Sequence, residues 1–265
     1  MKGVTPISTL QLALSVGLVL GAGAISTALR LGLLRSLLWG TLRTFLQLTL
    51  IGYALQHVFA IDHPALVAAL VGLMTLVAAR AVIGRLRGVP FKPYAIAALS
   101  LAAGTYLVGT LVCALLIGAE RWWTARISIP IAGMILGNTL NGISLSLERF
   151  VSDVRAAAPQ VEQLLCLGHS PWEAVRRQVK SALRAGMTPT INALMIVGLV
   201  SLPGMMTGQI LAGVDPLTAV RYQIVVMMMV AASVTLGCLL LVGLSYKRCF
   251  TKDGALLPEL LADDS

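Results

Sequence analysis

Apolar residues fall in long blocks along this chain, and polar residues gather between them. Seven blocks reach about 20 residues or more, the length a helix needs to cross a hydrocarbon layer roughly 30 Å thick. They are residues 7–29, 36–56, 64–83, 94–118, 127–147, 188–213 and 219–246. The pattern predicts an all-α, polytopic membrane protein with about seven transmembrane helices in a single domain over 1–265. The largest piece left outside the membrane is a helical region at 148–187. The first block spans a bilayer by itself and lacks a small-residue cleavage site, so no cleaved leader is expected.

Composition agrees with the pattern. Hydrophobic residues make up 57% of the chain and charged residues 12%, against about 25% charged in a soluble domain. Mean hydropathy is +0.88. The charges also orient the chain, because Lys and Arg resist translocation. With the N-terminus outside, only Lys2, Arg121, Arg126 and Arg221 of the 20 basic residues fall on the outer side. The others, Arg87 and Lys252 among them, fall on the inner side. The expected topology is N-terminus out and C-terminus cytoplasmic, in a plasma membrane or bacterial inner membrane. The net charge of +9 then sits beside anionic lipid headgroups, and no nucleic-acid partner is expected. The four cysteines, Cys113, Cys166, Cys238 and Cys249, have no metal or redox spacing. Trp122 and Trp123 suit the outer interface and Trp39 the inner one.

Two blocks depart from uniform hydrophobicity. In the fifth, "IPIAGMILGNTLNGISLSLERF", Met134, Asn138, Asn141 and Leu145 share one helical face. Gly137, Asn141, Ser144 and Glu148 form an overlapping stripe. Such a face must meet protein or water. Its amides either bond a neighbouring helix, with Gly133 and Gly137 allowing close approach, or line a passage. In the sixth, Pro203–Gly204 interrupts "LVSLPGMMTGQILAG", which predicts a break or a static kink; broken backbone at membrane depth needs protein or a water-filled cavity around it. Met134, Asn138, Asn141, Ser144, Glu148, Pro203, Gly204, Met205, Met206 and Gln209 are therefore the candidate translocation-path residues. The methionines are adaptable fillers or soft-metal ligands. His57, Asp62 and His63, in one outer loop, are weak candidates for a divalent-ion site.

The region 148–187 predicts a helix over 158–167, with Pro159 in its first turn and Gly168 as its stop. A second helix opens with Ser170 as N-cap, Pro171 as first residue and Glu173 closing a capping box. Trp172, Val175, Val179 and Ala182/Leu183 form its apolar face; Arg177, Lys180 and Arg184 form a basic one. By pattern alone this is either a working element or an amphipathic helix lying in the headgroups.

"EQLLCLGHSPWEAVRR" resembles the cytoplasmic coupling loop of ABC-transporter membrane subunits. Glu162 and Gly168 keep that loop's spacing, although Gln163 and Leu164 replace the two alanines usual in importers. "RTFLQLTLIGY", "IPIAGMILGN", "VGLVSLPGMMTGQILAG" and "DPLTAVRYQI", taken together, resemble the FetB-type permeases. These are bacterial iron-export ABC permeases related to plant aluminium-tolerance transporters. The resemblance runs from the second block into the seventh. It implies a non-enzymatic permease subunit that forms a homodimer, contacts membrane lipids and pairs with a separate ABC ATPase. Glu162, Gly168, Ser170, Trp172, Glu173 and Arg176 would form the coupling surface. No Gly-x-x-x-x-Gly-Lys-Ser/Thr loop occurs, so no cofactor is expected in this chain, and ATP with Mg would bind the partner. The implied cargo is iron or another metal ion, or its chelate. A nucleotide sugar or other polar metabolite is the alternative, with an ATP-independent channel, secondary transporter or scaffold after that. No acidic residue lies deep in a block, where a secondary carrier would need one for ion coupling.

Overall fold

A computed structural model describes residues 8–86, 88–116, 123–251 and 253–261. Lys2, Ile7, Arg87, Gly118, Arg121, Trp122 and Lys252 lie outside them. The described chain is all helix and turn, with no β-strand. Its helices are α1 (Thr9–Ala28), α2 (Leu34–Ile61), α3 (Pro64–Arg85), α4 (Tyr94–Ala102), α5 (Gly109–Leu111), α6 (Ala125–Ala156), α7 (Ala158–Cys166), α8 (Pro171–Ile196), α9 (Gly204–Leu211) and α10 (Pro216–Ser245). Wide π-helical turns at Ala103–Val108 and Val112–Leu116 flank α5. Six helical segments are long and apolar enough to cross a membrane. They match the first five predicted blocks and the seventh.

The sixth block differs from the others. α8 starts at Pro171 and runs without interruption to Ile196, through Pro189. The chain then unwinds at 197–203 around Gly198, whose φ is +83°, and resumes as the eight-residue α9. Pro203 stands immediately before α9, where its missing N–H costs no helical hydrogen bond. α8 is continuous across Met187, where the region 148–187 meets the sixth block.

The contacts divide the chain into two compact units. The first holds α1 and α2 and takes in Leu211–Gly213. α1 opens with a capping box between Ser8 and Gln11. At the corner leading to α2, Ser26 Oγ accepts from Leu33 N at 3.1 Å. α2 buries none of its residues in the chain, so its apolar surface needs lipid or another protein to cover it.

The second unit, residues 63–210 with 214–265, is built on α6. Ile135, Ile143, Leu147 and Phe150 are fully buried on one side of α6, facing a core shared with α3, α4, α8 and α10. Glycines set the closest approaches. A Cβ on Gly186 of α8 would lie 2.7 Å from the Gly142 carbonyl of α6 and would collide with Ser146 Oγ. A Cβ on Gly237 of α10 would lie 2.5 Å from Thr139 Cγ2. The expected pair does less: nothing lies within 4 Å of a Cβ on Gly137, and Gly133 faces only the end of Met74.

The segment after α10 is also built into this unit. A 3-10 turn (Tyr246–Cys249) leads into a Phe250–Leu256 bridge, and Leu256 and Leu260 are buried in the core that holds Phe150, Val161 and Val175. Arg155 Nη2 donates to the Gly88 carbonyl at 3.0 Å, tying the α3–α4 loop to the end of α6.

Candidate functional site

α6 carries a continuous exposed or half-exposed stripe, Met134, Asn138, Asn141, Leu145 and Arg149, opposite its buried face. At 3.6 residues per turn these positions stay within about 80° of one another. The upper part of the stripe borders a cavity of about 350 Å³ in the second unit. Four elements wall it: Met134, Asn138 and Asn141 from α6; Pro189 and Thr190 from α8; Ser201, Pro203, Gly204 and Met205 from the unwound stretch and the start of α9; and Gln223 and Met227 from α10. The helix break thus lies against a cavity, where unpaired backbone groups are tolerated.

The two asparagines are held differently. Asn138 Nδ2 donates to the Met134 carbonyl of its own helix at 2.8 Å, which leaves its oxygen as an acceptor. Asn141 Oδ1 accepts from Arg85 Nη1 of α3 at 2.6 Å, which leaves its amide N–H groups as donors. One amide therefore makes an interhelical bond and the other makes none.

Of the ten path candidates, Met134, Asn138, Asn141, Pro203, Gly204 and Met205 meet at this cavity. Ser144, Glu148, Met206 and Gln209 do not line it. Ser144 is turned about 90° from the stripe by helical geometry; it is buried, and its hydroxyl has no partner. Glu148 is half-buried and has an interaction of its own. Met206 is buried, and the oxygen of Gln209 is buried without a partner.

Sequence reasoning missed Gln223. It is 6% exposed, and its Oε1 has no hydrogen-bond partner. An amide at the start of the apolar run that follows Arg221 and Tyr222 in α10 was the available signal. Thr190, also buried on the cavity wall, gave none, because hydroxyls are ordinary in such helices.

The α7–α8 corner has the predicted local form. α7 ends at Cys166, and Gly168 takes φ +87°. The Gly168 and His169 N–H groups bond the Leu165 and Leu164 carbonyls. Ser170 and Glu173 make both capping-box bonds, and the Ser170 hydroxyl donates to Glu173 Oε2 at 2.7 Å. Hydrogen bonds from Ser170 hold the Glu173 carboxyl below its ordinary pKa, with a smaller pull from His169 and Arg176. Val175, Val179 and Ala182 are buried. Glu162, Gly168, Ser170, Glu173 and Arg176 are exposed. Trp172 is 41% exposed and meets the Tyr246 ring edge-on, centroids 5.1 Å apart.

The weak metal candidates serve their own helices. His57 Nδ1 lies 3.0 Å from the Tyr53 carbonyl. Asp62 closes α2 in the left-handed region. His63 caps α3, its Nδ1 accepting from Ala65 N at 3.3 Å. Among the described residues, no group of three or more His, Cys, Asp or Glu could hold a metal ion.

Comparison with known proteins assigns the chain. A family described as "Uncharacterised protein family (UPF0014)" matches residues 9–250. A UPF0014 membrane protein of Synechocystis is 37% identical over 242 residues, covering 91% of this chain and 93% of its own. The protein ALUMINUM SENSITIVE 3 of Arabidopsis thaliana is 34% identical over 93% of this chain and 89% of its own. The "Probable iron export permease protein FetB" of Escherichia coli is 32% identical over 91% of each chain. No solved structure matches. Matched by this family from α1 to the turn after α10, the chain belongs to the UPF0014 family of membrane proteins.

Proposed function

We propose that the chain is the membrane permease subunit of an ATP-driven exporter. It works as a homodimer with a separate ABC ATPase and moves iron or another metal ion, bare or as its chelate. The N-terminus lies outside and the inner corner faces the cytoplasm. One observation carries the reading: α8 is a single helix from the capping box at Ser170 to the cavity wall at Pro189 and Thr190. Its 26 residues span about 39 Å. A partner that grips the corner moves the cavity wall through a continuous helix, with no joint to absorb the stroke. The break at 197–203 then lets the far end yield.

The capping box fixes the start of that lever, and Gly168 sets its angle to α7. The name of the Escherichia coli relative supports iron as cargo. A polar metabolite such as a nucleotide sugar is the second reading, favoured by the amides on the cavity wall.

The test is co-reconstitution with candidate ABC ATPases from the same genome that carry no membrane domain of their own. Hydrolysis should rise with an iron species and should be low without the permease. The absence of any candidate that co-purifies with the permease or responds to it would overturn the proposal.

A further inference from the structure

The chemistry of the cavity separates two kinds of cargo. Its wall offers amides from Asn138, Asn141 and Gln223, hydroxyls from Thr190 and Ser201, and thioethers from Met134, Met205 and Met227. It offers no carboxylate, imidazole or thiol. A bare ferrous ion gives up a strongly held water shell only for hard, anionic or imidazole ligands. Neutral amides do not replace that shell. The charge bonded to its wall is of the wrong sign for a cation: the Arg85 guanidinium, 2.6 Å from Asn141 Oδ1.

The same wall suits a polyoxygenated anion. Asn141 presents N–H donors, Asn138 presents an acceptor oxygen, and Arg85 supplies positive charge at the edge. Gln223 is the independent sign of a ligand. The residue is more than nine-tenths buried and borders the cavity, and its side-chain oxygen, turned away from the free space, has no partner in the chain. A buried amide left unsatisfied is destabilising, and an apolar residue of the same shape would remove the penalty. The cost is explained if a bound ligand draws the amide round to the cavity and completes its hydrogen bonding.

We infer that this cavity binds a polyoxygenated organic anion, taking metal only as its anionic chelate, and that Gln223 is a hydrogen-bonding specificity residue for it. The inference rests on the permease reading for its biological meaning, but it concerns binding and is tested without the ATPase.

The experiment is calorimetric titration of the full-length chain in lipid nanodiscs with four probes: ferric citrate, citrate alone, Fe(II) kept reduced by ascorbate, and Cu(I). Ferric citrate should bind at least tenfold more tightly than either bare ion. Citrate alone binding within a few-fold of ferric citrate also supports the inference, because it puts recognition on the anion. Gln223→Leu should weaken ferric citrate at least tenfold while melting at or above the wild-type temperature. Gln223→Glu, titrated at pH 8, should weaken it further, since a carboxylate repels an anion. Tighter binding of Fe(II) or Cu(I) than of ferric citrate would overturn the inference, as would binding of none of the four. A Gln223→Leu protein that melts lower and binds normally would make the residue structural and overturn its role. Failure of the ATPase to couple leaves all these readouts intact, so the two readings fail separately.

Discussion

Replacing Gly186 with alanine should loosen the α6–α8 contact on which the lever and the cavity both depend. The new Cβ would stand 2.7 Å from a backbone oxygen, that of Gly142, and 3.0 Å from Cys238 Sγ, and would displace Ser146 Oγ. Side-chain atoms can rotate away, but a carbonyl in the middle of α6 cannot, so the helices must separate. Overpacking of this kind costs about 1–3 kcal/mol. The displaced bond from Ser146 Oγ to the Gly142 carbonyl, 2.9 Å long, is worth about 1 kcal/mol. Alanine's helix preference returns about 1 kcal/mol. The net loss is about 1–3 kcal/mol, or a melting temperature lower by about 2–12 °C for a chain of this size. Gly137→Ala is the control: its Cβ meets nothing, so only the helix preference remains and stability should rise by about 1 kcal/mol. The assay is thermal unfolding of both variants in one detergent, followed by fluorescence-detected size exclusion. A Gly186→Ala protein that melts at or above wild type would refute the packing argument.

Gly168→Leu should uncouple a reconstituted complex without preventing insertion, because leucine pays about 1–2 kcal/mol in the left-handed conformation that Gly168 adopts; ATPase co-purification and substrate-stimulated hydrolysis report it. Asn138→Leu should reduce transport per folded complex several-fold with little change in melting, because that side chain bonds only its own helix. Asn141→Leu should do the same and also lower the melting temperature, because it strands Arg85; normal transport in both would remove the stripe from the path. The depressed pKa of Glu173 means that its cap is fully present above the ordinary carboxylate pKa of about 4.3 and is lost as pH falls through the lower folded value. Hydrogen-exchange protection at the start of α8 should follow that course, and Glu173→Gln should flatten it. In a background without native cysteines, a membrane-impermeant thiol reagent applied outside should label a cysteine at Ala60 and miss one at Gly88; the reverse would invert the topology.

Sequence alone determined what depends on local or one-dimensional physics. Burying about 20 apolar residues in a bilayer needs only a helix of that length, so six spans were legible from hydropathy. The corner at Gly168 and the cap at Ser170 and Glu173 were legible because a left-handed glycine and a capping box are satisfied within a few residues. The stripe at Asn138 and Asn141 was legible because helical period fixes which side chains share a face. The tertiary structure decided the rest. Gly142 and Gly186 are 44 positions apart, and no sequence pattern says which small residues will meet, so the Gly133–Gly137 pair looked like the contact and is not. Polarity changes near Met187, but that change does not say whether the helix goes on; backbone hydrogen bonding is indifferent to what surrounds it and continues to Ile196. Gln223 gains meaning only because α10 packs so that the residue borders the same cavity as Asn138 and Asn141. A lone amide in an apolar run states a cost, and only the packed neighbours reveal whether anything in the chain meets it.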